Sequence, residues 1–154
     1  MIAADVFRQR FETARDAIAD WIAAHRDVAD IAEERTPTFW RLAVQPHAAQ
    51  TCPFELIVHT GSQRFDLDIG PETYRGRPAP PCEDLPRIVS AIAAGEVVIR
   101  THRTVGTGAP LRSETTIGAP VVIWHGERCA PGAPPTATGE QSEARERRYV
   151  RYRL

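Results

Sequence analysis

Residues 54–69 read FELIVHTGSQRFDLDI, and this stretch decides the fold. Apolar and polar side chains alternate on both sides of Gly61 and Ser62, the period of two that marks a half-buried strand. Taken as a two-residue turn with glycine first, as a type II′ turn requires, Gly61 and Ser62 fix one register. Phe54 then faces Ile69, Leu56 faces Leu67, and Val58 faces Phe65, all on one side of the hairpin. A slip of a single residue would send all six to the opposite face.

The same register lays out the other side. Glu55 stands across from Asp68, Ile57 from Asp66, and His59 from Arg64. Like charges placed directly opposite repel, at roughly several tenths of a kcal/mol. Glu55, His59, Asp66 and Asp68 are therefore the first candidate site. They read as a docking surface for a basic protein partner or as an oxygen-rich site for a hard cation. The bland reading is a solvated face neutralised by Arg64 and by Arg41 of the preceding strand.

Working outward, residues 38–45 alternate as another strand, with Trp40, Leu42 and Val44 on one face. Before them, Phe7, Phe11, Ala14, Ile18, Ile22, His25 and Val28 recur at three- and four-residue steps. That spacing predicts a helix over 5–34, capped by Asp5 and ended by Thr36 and Pro37, with a break near 26–30. Beyond the hairpin, residues 70–81 are rich in Gly and Pro and read as a loop. A shorter amphipathic helix follows Asp84 and stops at Gly95. Strands are expected at 96–104, 111–117, 121–125 and 147–154, with a flexible loop over 128–142. The expected fold is a single α+β domain over 1–154. One antiparallel sheet of six or seven strands has both helices on one face, in the order helix-βββ-helix-βββ.

Composition removes several functions. All nineteen basic residues are arginine; the chain has neither lysine nor asparagine. Schiff-base chemistry and the lysine-bearing phosphate loop are excluded. Arginine-only usage points to a GC-rich bacterial genome, and a net charge of −1 argues against a globally basic nucleic-acid binder. No apolar run spans a bilayer and the N-terminal residues lack a signal-peptide layout. Three cysteines, Cys52, Cys82 and Cys129, fit reduced thiols in a cytoplasm.

Other constellations are weaker. His102 and Glu114 on neighbouring strands form a minimal acid–base pair or a surface salt bridge. His25 reads as a core histidine, and His125 sits beside Trp124 at a strand end. The three cysteines with His47 can be drawn as a zinc set, but their spacing matches no common module. Residues 104–109 hold two glycines between strands and read as a hairpin turn, not a nucleotide loop. The basic run of Arg145, Arg147, Arg148, Arg151 and Arg153 suits phosphate, yet its acidic and apolar neighbours suit a charged edge strand.

Together these favour a non-catalytic, cytoplasmic bacterial interaction protein that docks a partner through the acidic sheet face, with no cofactor. Phe39 and Ile57 on that face also suit a homodimer. The alternative is a small-molecule-binding protein or enzyme with a pocket between sheet and helices, lined by Trp21, Trp40 or Trp124 and a histidine. Nucleic-acid binding through the arginine-rich C-terminal strand is a third reading.

Overall fold

A computed structural model describes residues 1–132 and 142–154. The chain runs α1 (Ala4–His25), β1 (Ala29–Arg35), β2 (Phe39–Pro46), β3 (Phe54–His59), β4 (Arg64–Ile69), β5 (Glu72–Pro78), α2 (Asp84–Ala93), β6 (Val97–Thr104), β7 (Pro110–Ile117), β8 (Trp124–Cys129) and β9 (Ser142–Arg148). These strands do not form the single sheet expected. They make two antiparallel sheets, five strands in the order β1-β2-β3-β4-β5 and four in the order β8-β7-β6-β9. The order of elements is helix, five strands, helix, four strands.

The hairpin register is as expected: Phe54 pairs with Ile69, Leu56 with Leu67, Val58 with Phe65 and His59 with Arg64. Its turn differs. The reversal occupies residues 60–63, and the left-handed residue is Gln63 (φ 53°), not Gly61, so it is not a type II′ turn. The Gln63 side chain instead holds the N-terminal segment, accepting from Ile2 N at 3.2 Å and donating to Ile2 O at 2.6 Å.

Two extra strands account for the five-stranded sheet. The expected long helix ends at His25, and the chain turns so that Ala29–Arg35 pairs along β2. Asp5 lies in the first turn of α1 and does not cap it. Residues 72–78, expected as loop, form β5 on β4, with an irregularity opposite Phe65 and Leu67 and a left-handed Gly76 (φ 58°). Proline and glycine are tolerated there because β5 is an edge.

The inner face of the first sheet carries Trp40, Leu42, Leu56, Val58, Phe65 and Leu67, all buried in one core with Phe7, Phe11, Ala14, Ile18 and Ile22 of α1. α2 packs on α1 and reaches β7. The second sheet joins the same core through Val97, Ile99 and Ile117. Its junction with the first sheet is aromatic and polar. Trp124 meets Phe65 and Tyr74 edge-on at 5.8 and 5.0 Å, and the Tyr74 hydroxyl donates to Thr115 Oγ1 at 2.7 Å.

Two boundaries near the C-terminus also move. β8 begins at Trp124, leaving Val121 and Val122 exposed in the preceding turn. The last strand is Ser142–Arg148; beyond it Val150 makes only an isolated bridge to Thr51. Tyr152 anchors the tail, buried and donating to Cys52 O at 2.6 Å, while its N–H reaches Ala93 O at 2.7 Å. Of the loop expected over 128–142, residues 133–141 lie outside the described residues, whereas Arg128, Cys129 and Ser142 are in strands.

Candidate functional site

Alternation and register place Glu55, His59, Asp66 and Asp68 together on the outer face of the first sheet, which neither helix covers. Each acid there already has a donor. Glu55 takes Arg41 Nη2 at 2.7 Å, Asp68 takes Arg75 Nη2 at 3.0 Å, and Asp66 takes His59 Nε2 at 3.0 Å and Gly76 N at 2.6 Å. Burial alone would raise the Asp66 pKa; the bonds from His59 and Gly76 outweigh it and hold the carboxyl below its ordinary range. Arg41 acts as expected, but Arg64 turns away to the Gly76 carbonyl, and Arg75 of the unforeseen β5 takes its place. The face is thus a charge-balanced ladder. Beside it, Ala32 and Ala43 floor a depression of about 540 Å³ walled by Asp30, Gln45, Glu55 and Asp68.

A second concavity lies between the sheets. The inner face of the second sheet grades along its strands, from Val97, Ile117 and Trp124 through Thr115 and Ser113 to Thr101, Arg103, Arg128, Arg145 and Arg147. The apolar end packs into the core. The polar end lines a cavity of about 580 Å³ closed on one side by Pro71 and Glu72. Glu72 is 8% exposed; it accepts from the Ser113 hydroxyl at 2.8 Å and lies 3.4 Å from Arg128. Arg145 pairs with Glu143 at 3.4 Å. Among the described residues, Arg103 and Arg147 have no ion pair, and Arg103 spends only one N–H, on Gly108 O at 3.2 Å. Sequence reasoning missed this site because its residues come from five strands, and Glu72 of β5 fell in a presumed loop.

The basic run divides accordingly. Arg145 and Arg147 face the cavity, while Arg148 lies on the opposite face and binds Glu146 at 3.0 Å. No continuous arginine stripe results from β9.

On the outer face of the second sheet, His102 Nε2 and Glu114 Oε2 are 3.0 Å apart, as the strand reading anticipated. The bond from His102 is the main reason the Glu114 pKa lies below the usual carboxylate range. His125 and Glu127 project from β8 on this same face, since Glu127 pairs with Glu114 and His125 with Thr116.

The tryptophans separate. Trp40 is wholly buried and donates to Glu33 at 2.8 Å, and Trp124 sits at the junction of the sheets. Trp21 stacks on His25 at 4.2 Å and helps line a cavity of about 620 Å³ with Ser90, Ala93, Tyr152 and Arg153. His25 is not in the core; its Nδ1 bonds Trp21 O at 2.7 Å. The cysteines do not converge. Cys52 and Cys82 are buried apart from exposed Cys129, and His47 bonds Asp30 at 2.9 Å. Burial pushes the Cys52 thiol up to about 12, leaving it protonated.

Comparison with protein-family models, curated proteins and solved structures returned no match. Among the described residues, no helix is long and apolar enough to cross a membrane.

Proposed function

We propose that the chain is a small-molecule-binding protein whose ligand is an anion carrying a carboxylate or phosphate, held in the cavity between the two sheets. One observation carries this reading. Five arginines from four strands border one concavity, and two of them, Arg103 and Arg147, lack a carboxylate partner among the described residues. Guanidinium forks match planar and tetrahedral oxyanions. Thr101 supplies a hydroxyl beside them, and buried Glu72, which already takes the Ser113 proton, sets a limit on how far a negative ligand can enter. A bacterial cytoplasm, suggested by the arginine-only composition and free thiols, is the setting we assign.

The test is thermal unfolding with inorganic phosphate, citrate or acetate, each against chloride at matched ionic strength. A ligand at one hundred times its dissociation constant adds about 2.7 kcal/mol to stability. A rise with phosphate or citrate, lost in Arg103→Gln/Arg147→Gln, supports the proposal. No rise at 50-fold excess over about 1 mM affinity, or an equal rise in the double variant, rejects it.

Partner docking on the outer face of the first sheet is the second reading. The depression floored by Ala32 and Ala43 favours it, because Glu55 and Asp68 at its wall could exchange their arginines for a partner's. Phe39 and Ile57 on that face would suit a second copy of the chain. Replacing Glu55, Asp66 and Asp68 with Ser should then abolish capture of the partner or shift the dimer toward monomer in sedimentation. Unchanged association would end this reading.

A further inference from the structure

We infer that the outer face of the second sheet carries a divalent metal site of the zinc class, formed by Glu114, His125 and Glu127. The two carboxylates are a cross-strand pair, and His125 enters from the neighbouring rung of β8. One ligand atom from each lies within 4.8 Å of the other two. Zinc bonds to oxygen and nitrogen are about 2.0–2.2 Å, so tetrahedrally placed donors on one ion lie roughly 3.3–3.6 Å apart. The three donor atoms must therefore draw together by up to about 1.5 Å to share an ion, a movement that rotation of the exposed His125 and Glu127 side chains supplies.

The donor set narrows the metal. Two carboxylates alone would suit a hard cation, which wants six or more oxygens. An imidazole at the third corner selects Zn²⁺, Co²⁺ or Ni²⁺ over Mg²⁺ and Ca²⁺. Support lies behind the ligands. His102, with its side chain 14% exposed, bonds Glu114 Oε2 at 3.0 Å, and the Thr116 hydroxyl stands 3.5 Å from His125 Nδ1. Such outer partners orient ligands and tune their basicity. Opposed glutamates on adjacent strands also repel, and a bound cation would relieve that. Arg112 reaches Glu127 at 3.2 Å and must release it, which sets the affinity below that of an enclosed structural site.

Arg112, which pairs with Glu127, also borders the arginine-lined cavity, but the three ligands face away from Arg103 and Arg147, so failure of this site leaves the anion reading untouched. Chelator-stripped protein should be titrated calorimetrically with Zn²⁺ and, separately, with Co²⁺ while visible absorption is followed. One equivalent should bind at micromolar affinity, and Mg²⁺ should give no heat. His125→Ala and Glu127→Gln, both at exposed positions, should each weaken binding at least about 10-fold, the scale of losing a ligand or its support. Cys129→Ser and His47→Ala should leave it unchanged. Binding that survives His125→Ala, or that vanishes with Cys129→Ser or His47→Ala, overturns the assignment. So does the absence of Zn²⁺ binding below 1 mM, on the scale where about 4.1 kcal/mol separates bound from free.

Discussion

Substituting Gly95 by alanine tests how the C-terminal tail is fastened. Gly95 follows α2 with φ 77°, and a Cβ there would stand 2.8 Å from Arg151 N and from Val150 C, and 2.9 Å from Tyr149 O. Left-handed backbone costs an L-residue about 1–2 kcal/mol, and the stiffer unfolded chain returns about 0.4–1 kcal/mol. Strain alone therefore leaves a net loss near 1 kcal/mol. The contacts are with backbone atoms, which cannot rotate aside, so the tail must lift. Lifting weakens the bonds of Tyr152 to Ala93 and Cys52, and exposes a side chain whose burial is worth about 1.5–3 kcal/mol. The expected total is about 3 kcal/mol, or a fall in Tm of roughly 6–12 °C for a chain of this size. Gly106 supplies the comparison: φ is 99°, but a Cβ there meets nothing within 4 Å. Thermal unfolding of Gly95→Ala and Gly106→Ala, with hydrogen exchange of the amides at 150 and 152, separates strain from displacement. Equal losses in the two variants, with the amide of residue 152 still protected, would refute the account.

Tyr74→Phe should destabilise the junction between the sheets by about 1–3 kcal/mol in urea unfolding, because the Thr115 hydroxyl, fully buried, loses its donor. A loss under 0.5 kcal/mol on that same scale would mean that the bond is already replaced by water. Asp66 governs one pH dependence. Its folded pKa is depressed, so its contribution is present above the ordinary aspartate range and disappears as pH falls through the folded value, below about 4. Asp66→Asn should flatten stability against pH in that window. Finally, a disulfide-exchange reagent should modify one thiol quickly, exposed Cys129, with Cys52 and Cys82 reacting only on unfolding, since burial raises both of their pKa values.

What could be read from the chain, and what could not, follows from the range of each signal. The β3–β4 pairing was legible because its register is set by six apolar side chains within sixteen residues. β1 was hidden because Val28 and Ala29 extend the helical spacing of α1 as well as they begin a strand, and only pairing with β2 decides between them. β5 was hidden by its glycine and proline, although Glu72 and Tyr74 alternate inward with Thr73 and Arg75. Once both are counted, the first sheet is complete at five strands, and the remaining strands form their own sheet. The acidic face was legible down to its members, while its neutralisation by Arg75 depended on the strand that was missed. The arginine-lined cavity depended on which strands neighbour β6, a long-range property that no local period records.

The three indoles of this chain occupy three different settings: one sealed in the first sheet, one stacked on an imidazole, one wedged where the sheets meet. Emission from Trp124 therefore reports whether the second sheet stays docked, independently of Trp40, which dims or reddens only when the first sheet admits water. Chains retaining a single indole apiece would let a spectrometer follow the order in which the two halves part company on heating.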